Sequence, residues 1–174
     1  LFTSSAAFAD IDNDGDPDLL VGTVGEDRYH LLVNDGRGGF DEVARARGID
    51  QRETEGRFHS TMSSCFGDFD LDGFLDVATT EWRRPYHGLS NSRNSLLRNR
   101  GSAAPGFFRD VTSEMGIRLE DVVRAGAWGF TPTLTDMDGD HRPDLFVAAD
   151  FESSRVFWND VGTFIDGTVD AGVG

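Results

Sequence analysis

The side chains in this sequence best suited to chemistry are aspartates set at alternate positions. They form three nine-residue segments: Asp10-Ile11-Asp12-Asn13-Asp14-Gly15-Asp16-Pro17-Asp18, Asp68-Phe69-Asp70-Leu71-Asp72-Gly73-Phe74-Leu75-Asp76 and Asp136-Met137-Asp138-Gly139-Asp140-His141-Arg142-Pro143-Asp144. With Asp at positions 1, 3, 5 and 9, a loop can aim alternate carboxylates at one centre. That arrangement suits a hard cation such as Ca2+, which takes about 6–8 oxygens at roughly 2.3–2.6 Å. Position 7, held by Asp16, Phe74 and Arg142, is free to vary if it offers its backbone carbonyl. The candidate metal ligands are therefore Asp10, Asp12, Asp14, Asp16 and Asp18; Asp68, Asp70, Asp72, Phe74 and Asp76; and Asp136, Asp138, Asp140, Arg142 and Asp144. Up to three ions are expected, one per loop. Gly15 and Gly73 at position 6 suit a sharp turn with positive φ, where the third loop carries His141, one of the few other residue types that enters that region, at some strain. Pro17 and Pro143 bias the residue before them towards extended backbone, which helps to fix the position-7 carbonyl.

Other chemistries fit less well. Zinc asks for His or Cys, and neither recurs in the loops. An EF-hand needs Glu at position 12 leading into a helix, but Val21, Thr79 and Val147 stand there inside apolar runs. Thrombospondin-type calcium repeats need cysteines, and Cys65 is alone, in an apolar setting that suits packed core. General acid–base catalysis needs two carboxyls in divergent environments, whereas these three sets are near-copies. Asp-Gly runs also make ordinary turns, and one such loop would carry little weight; three aligned copies do.

The charge balance follows the same loops. The chain has 174 residues and a formal charge of −15, with 23 Asp, 8 Glu, 16 Arg and no Lys. The 27 loop residues hold −12 of that total, leaving −3 on the remaining 147. Such local self-repulsion calls for a bound counter-charge, and three Ca2+ would bring −15 to −9. At −15, nucleic acid and anionic membrane surfaces are poor partner candidates, less so for the arginine-bearing rim opposite the loops, and no apolar stretch is long enough to span a bilayer. A hydrophobic fraction of 38% is too rich for disorder.

The elements that must position these loops emerge from a search for repeats. The loops start 58 and 68 residues apart, each two residues after a bulky apolar residue, Phe8, Phe66 or Leu134. A second landmark follows each: an apolar run ending in Asn34, Asn99 or Asn159, then Gly and Phe (Gly39-Phe40, Gly106-Phe107, Gly162 with Phe164). A third closes the unit with Gly48-Ile49, Gly116-Ile117 or Gly172-Val173. Three landmarks in constant order define repeats over 1–50, 51–118 and 119–174. Apolar runs of three to five residues between Gly, Asn, Asp and Pro read as strands, so the expected fold is all-β: three four-stranded antiparallel units stacked as β-propeller blades. Trp128 and Trp158 are expected in the inter-blade core.

The Phe-x-Asp-x-Asp-x-Asp-Gly-x-x-Asp-Leu pattern with its Asn-x-Gly-x-Gly-Phe sequel resembles the FG-GAP/VCBS repeat family, and is most similar to its bacterial VCBS and cartilage-acidic-protein-like branch. The resemblance implies a calcium-binding propeller of the integrin-α kind. It also implies an extracellular, cell-surface or periplasmic setting, with a role in adhesion or in recognising a protein or glycan.

In an up-and-down blade the Asp loops and Asn/Gly turns share one rim, so the unequal loops 22–30, 79–95 and 149–154 crowd the other. Variable loops on a rigid scaffold are where ligands usually bind. The stretch from Trp82 to Arg100 carries five arginines and no acid, and its Trp82, Arg83, Arg84, Tyr86 and His87 are the candidate ligand-binding residues. The competing reading is a solvated insertion with Trp82 packed beneath it. His59, Glu81 and His87 supply no fixed acid–base geometry, so the expectation is a non-enzymatic module. A propeller attached to a secreted polysaccharide-degrading enzyme and a purely architectural spacer are the alternatives. Propellers ordinarily close with about four to eight blades. Three units form an open arc, so the remaining blades of a larger propeller are expected partners.

Overall fold

The computed structural model describes residues 2–24, 28–50, 61–82, 94–117, 129–150 and 153–173. The short apolar runs form twelve strands. The first blade holds β1 (Thr3–Ala9), β2 (Asp18–Thr23), β3 (His30–Asn34) and β4 (Phe40–Glu42). The second holds β5 (Thr61–Gly67), β6 (Asp76–Glu81), β7 (Ser95–Asn99) and β8 (Phe108–Asp110). The third holds β9 (Gly129–Thr135), β10 (Asp144–Ala149), β11 (Arg155–Asn159) and β12 (Phe164–Asp166). Within each blade the four strands lie side by side in chain order, antiparallel throughout. The protein is therefore all-β, in three sheets consistent with propeller blades, and the described residues do not close into a ring.

Consecutive apolar residues on a strand point to opposite faces, so a run such as Val77-Ala78 must be covered on both sides. It is. Val77, Leu97 and Phe108 pack back onto Ile11, Leu20, Tyr29, Leu31, Ala44 and Ile49 of the first blade. Ala78, Leu96, Val111, Met115, Ile117 and Phe69 pack forward onto Leu145, Val147, Phe157 and Phe164 of the third. The hydrophobic core thus lies between blades rather than within them. Strand β5 packs against both β1 and β9, placing the first strand of every blade innermost. Close approach there needs small residues: a side chain at Gly67 would collide with Leu134. Outermost β4 is exposed along its whole length.

Each blade ends in a one-turn tail whose glycine has positive φ: Gly48 (84°), Gly116 (79°) and Gly172 (71°). The turn folds Ile49 and Ile117 into the inter-blade cores, which explains the recurring Gly-β-branched landmark. It also turns a carbonyl towards the next blade, where the Phe108 N–H donates to Arg47 O and the Phe164 N–H to Met115 O, both at 2.7 Å. At the far ends of the strands, the Thr61 hydroxyl donates to Thr23 O (2.9 Å) and the Tyr29 hydroxyl reaches Ser63 O and Thr80 O (2.8 and 2.7 Å), joining the first two blades again.

Trp158 departs from expectation. It is half-buried on the third blade, with its indole against Gly167, while the flanking Val156 and Phe157 are buried. Strand alternation turns it away from the second blade, because Phe157 already occupies the facing position. Trp128 lies outside the described residues.

Candidate metal centres on the loop rim

The three acidic segments are the β1–β2, β5–β6 and β9–β10 loops, and their internal hydrogen bonds repeat. The position-1 carboxylate folds the loop over itself. Asp10 accepts the N–H of Asp14 and Gly15 (3.1 and 2.9 Å), Asp68 those of Asp72 and Gly73 (3.0 and 2.9 Å), and Asp136 those of Gly139 and His141 (2.7 and 2.9 Å). The position-5 carboxylate makes an Asx turn with the position-7 N–H, at 2.9 Å for Asp14–Asp16 and Asp72–Phe74 and 2.8 Å for Asp140–Arg142.

The position-9 carboxylate is buried and accepts a backbone N–H on each oxygen. Asp18, Asp76 and Asp144 are each 1% exposed or less. One oxygen takes the position-2 N–H (Ile11, Phe69, Met137) and the other takes the N–H of the landmark asparagine (Asn34, Asn99, Asn159), at 2.8–3.2 Å. The loop and the β3–β4-type turn are thereby tied together on one rim, as the topology requires. The asparagine side chain completes the tie and reaches across the junction. Asn99 Nδ2 donates to Leu75 O of its own loop and to Ile11 O of the preceding loop (3.1 and 2.8 Å). Asn159 Nδ2 does the same with Pro143 O and Phe69 O (3.0 and 2.7 Å).

Position 3 is different. Asp12 Oδ1 and Asp70 Oδ1 are buried and have no hydrogen-bond partner. Their other oxygens meet arginine: Asp12 Oδ2 lies 3.5 Å from Arg47, and Asp70 Oδ2 accepts from Arg98 Nε at 2.5 Å. In the third loop Asp138 instead accepts the Asp140 N–H (3.1 Å), and Arg142 pairs with Asp140.

Three carboxylate triads result, each with one oxygen per residue and all oxygens within 4.8 Å of one another: Asp10, Asp12 and Asp14; Asp68, Asp70 and Asp76; and Asp136, Asp138 and Asp144. Crowding and burial disfavour the charged forms. Burial, then the neighbouring Asp14, raises the Asp12 carboxyl, and burial raises Asp18. Asp76 is pushed up to about 8 by burial, then further by Asp70 and Asp72, against the N–H groups of Asn99 and Phe69. Asp136, in the more open third loop, goes the other way: desolvation raises it, but the N–H groups of Gly139, His141 and Asp140 together outweigh that. An all-oxygen donor set with buried, donor-less carboxylate oxygens fits a hard cation in the first two loops.

Backbone conformation follows the sequence reading and adds to it. Position 6 has positive φ in every loop: Gly15 (93°), Gly73 (88°) and His141 (71°). Position 4 does too, at Asn13 (60°), Leu71 (58°) and Gly139 (86°), a requirement the varied residue types there concealed. The third loop has in effect moved its glycine from position 6 to position 4.

The arginine-rich stretch divides. Arg98 lies on β7 with its guanidinium at Asp70 and 5.7 Å from the Phe69 ring centre. Arg98 and Arg100 join Asp70, Asp72, Asn99 and Arg109 around a polar cavity of about 370 Å3 on the Asp-loop rim. These two arginines therefore leave the group expected on the opposite rim, because β7 runs towards the acidic loops. Trp82 is half-buried immediately after β6. Arg83, Arg84, Tyr86, His87 and His59 lie outside the described residues.

The counter-charges Arg47, Arg98 and Arg142 had no recurring position to betray them in the sequence. The bridging asparagines did recur, and only their reach into the preceding blade was unforeseen.

Residues 10–79, spanning the first two acidic loops, match the model of the FG-GAP-like repeat. No curated protein shows a significant match to the chain.

Proposed function

We propose, with residues 10–79 taken as an FG-GAP-like repeat, that this chain is a calcium-binding propeller module. We place it outside the cytoplasm and assign it adhesion or recognition of a protein or glycan, without catalysis of its own. The observation that carries the metal reading is the pair of buried carboxylate oxygens, Asp12 Oδ1 and Asp70 Oδ1, that no donor satisfies. Asp10, Asp12 and Asp14 would hold one ion, Asp68, Asp70 and Asp76 a second, and Asp136, Asp138 and Asp144 a third. When bound, Ca2+ supplies positive charge that lets a triad ionise together. The chain does the rest: position 1 shapes the loop, position 9 anchors it to the landmark asparagine, and position 3 presents the oxygen left over.

The acidic rim is thus committed to bracing, and recognition falls to the loops 22–30, 79–95 and 149–154 at the other ends of the strands. Arrays of glycans and extracellular proteins would identify the ligand. The metal reading is tested by melting the protein in chelator and after adding Ca2+. Saturating one site at a hundredfold excess over Kd is worth about 2.7 kcal/mol, or roughly 5–10 °C in Tm for a chain of this size. Asp70→Ala should reduce the rise. An unchanged melting curve overturns the assignment.

A further inference from the structure

The rim that carries the metal loops is packed at the first blade junction and open beside the second loop. Val33 on β3, one step before the landmark asparagine, packs into the first junction. At the same step β7 carries Arg98, and a polar cavity of about 370 Å3 lies beside it. Two further arginines line that cavity. Arg100 follows Arg98 at alternate spacing, which places the two on one side, and strand register sets Arg109 of β8 directly opposite Arg98. Asp70, Asp72 and Asn99 complete the wall.

The blade scaffold does not ask for these arginines. Their equivalents are Val33, Asp35 and Asp41 in the first blade and Trp158, Asp160 and Ile165 in the third, so the charge of the set runs −2, +3 and −1 along the chain. Like charges directly opposite on paired strands are destabilising. Two acids offset only part of this. Arg98 donates to Asp70, and Arg109 pairs with Glu114 at 2.5 Å, where the side chains are 52% and 55% exposed and solvent leaves the pair weak. Arg100 is exposed and has no ion-pair partner among the described residues.

We propose that this cavity binds an acidic sugar, a sugar unit carrying a carboxylate or sulfate group. A guanidinium fork matches the paired oxygens of such a group, and Arg100 and Arg109 supply two forks. The lining is mixed, so the ligand brings hydrogen-bond donors as well as an anion. Sugar hydroxyls are donors for the Asp72 carboxylate on the same wall; an inorganic anion has none, and meets Asp70 and Asp72 only as repulsion. The volume lies in the range of small-molecule sites, about 300–1,000 Å3. Arg98 adds a third fork once Asp70 is turned to a bound cation. That last part rests on the calcium reading of the second loop, whereas the roles of Arg100 and Arg109 do not. The site is separate from the recognition loops at the other ends of the strands.

Calorimetric titration of the chain with glucuronate, glucose 6-sulfate and glucose, in Ca2+ and in chelator, tests this. The expected result is one site per chain for an acidic sugar, tighter in Ca2+, and no binding of glucose. Arg100→Asp and Arg109→Asp place at exposed positions the residue type that the first blade carries there, so both variants should keep the wild-type circular dichroism spectrum. Each should weaken binding roughly tenfold or more, and Arg100→Lys should restore part of the loss. Arg37→Asp, exposed on the first blade's turn, changes the net charge equally and should leave binding unaltered. Absence of binding by both acidic sugars in both media overturns the site, whatever the melting curves say of the metal. Equal weakening by Arg37→Asp overturns it too, as does inorganic sulfate or an aspartate-rich peptide binding as tightly as the sugars. Equal affinity in Ca2+ and in chelator overturns the part given to Arg98.

Discussion

Asp76 concentrates the electrostatic tension of the second loop in one residue. It is fully buried, and burial, with Asp70 and Asp72 close by, lifts its carboxyl to about 8 although both oxygens accept backbone N–H groups. A folded-state pKa above the unfolded value near 3.9 means that the native state binds the proton more tightly. In chelator, the stability this group confers is fully present below about pH 4 and is lost as the pH rises through about 8. Melting temperatures taken in chelator should therefore fall across that window, and saturating Ca2+ should flatten or reverse the trend. Sequence alone located Asp76 by its spacing. It could not give its burial, because that depends on the asparagine turn folding over it from 23 residues further along. Nor could it separate the third loop fully. His141 at positive φ was readable from its place in the motif, but Asp136 being held below the usual carboxylate range by three N–H groups was not.

At the scale of elements, the landmark asparagine governs the rim. The Asn99 side chain is 1% exposed, donates to Ile11 O and Leu75 O, and accepts the N–H groups of Gly101 and Gly106 (3.2 and 3.1 Å). It closes its own turn, pins its own loop and grips the loop of the blade before it. Asn99→Ala would strand buried donors and acceptors, each costing about 1–3 kcal/mol. Thermal unfolding should show a loss of at least 3 kcal/mol, against a much smaller loss for Asn34→Ala, whose side chain bonds only within its own blade. The strands were legible because their punctuation is dense and their apolar runs too short for helices. The partition of a run such as Leu96-Leu97 between two different cores was not, since it follows from stacking and not from periodicity.

For the whole molecule, the charge and the architecture divide along the same line. Most of the −15 sits on one rim, beside arginines drawn from different elements: Arg47 from a tail, Arg98 from a strand and Arg142 from a loop. Filling three sites would cut the net charge from −15 to −9, so electrophoretic mobility at neutral pH should drop by roughly two-fifths on saturation with Ca2+ relative to chelator. Little change in mobility would mean that the arginines already serve as the loops' only cations. The asparagine grip has one more consequence. Because the position-2 carbonyl of a loop is held by the following blade, whatever factor the stacking of that blade contributes to filling the loop, filling the loop must contribute to the stacking. Ile11 and Phe69 enjoy that hold within this chain.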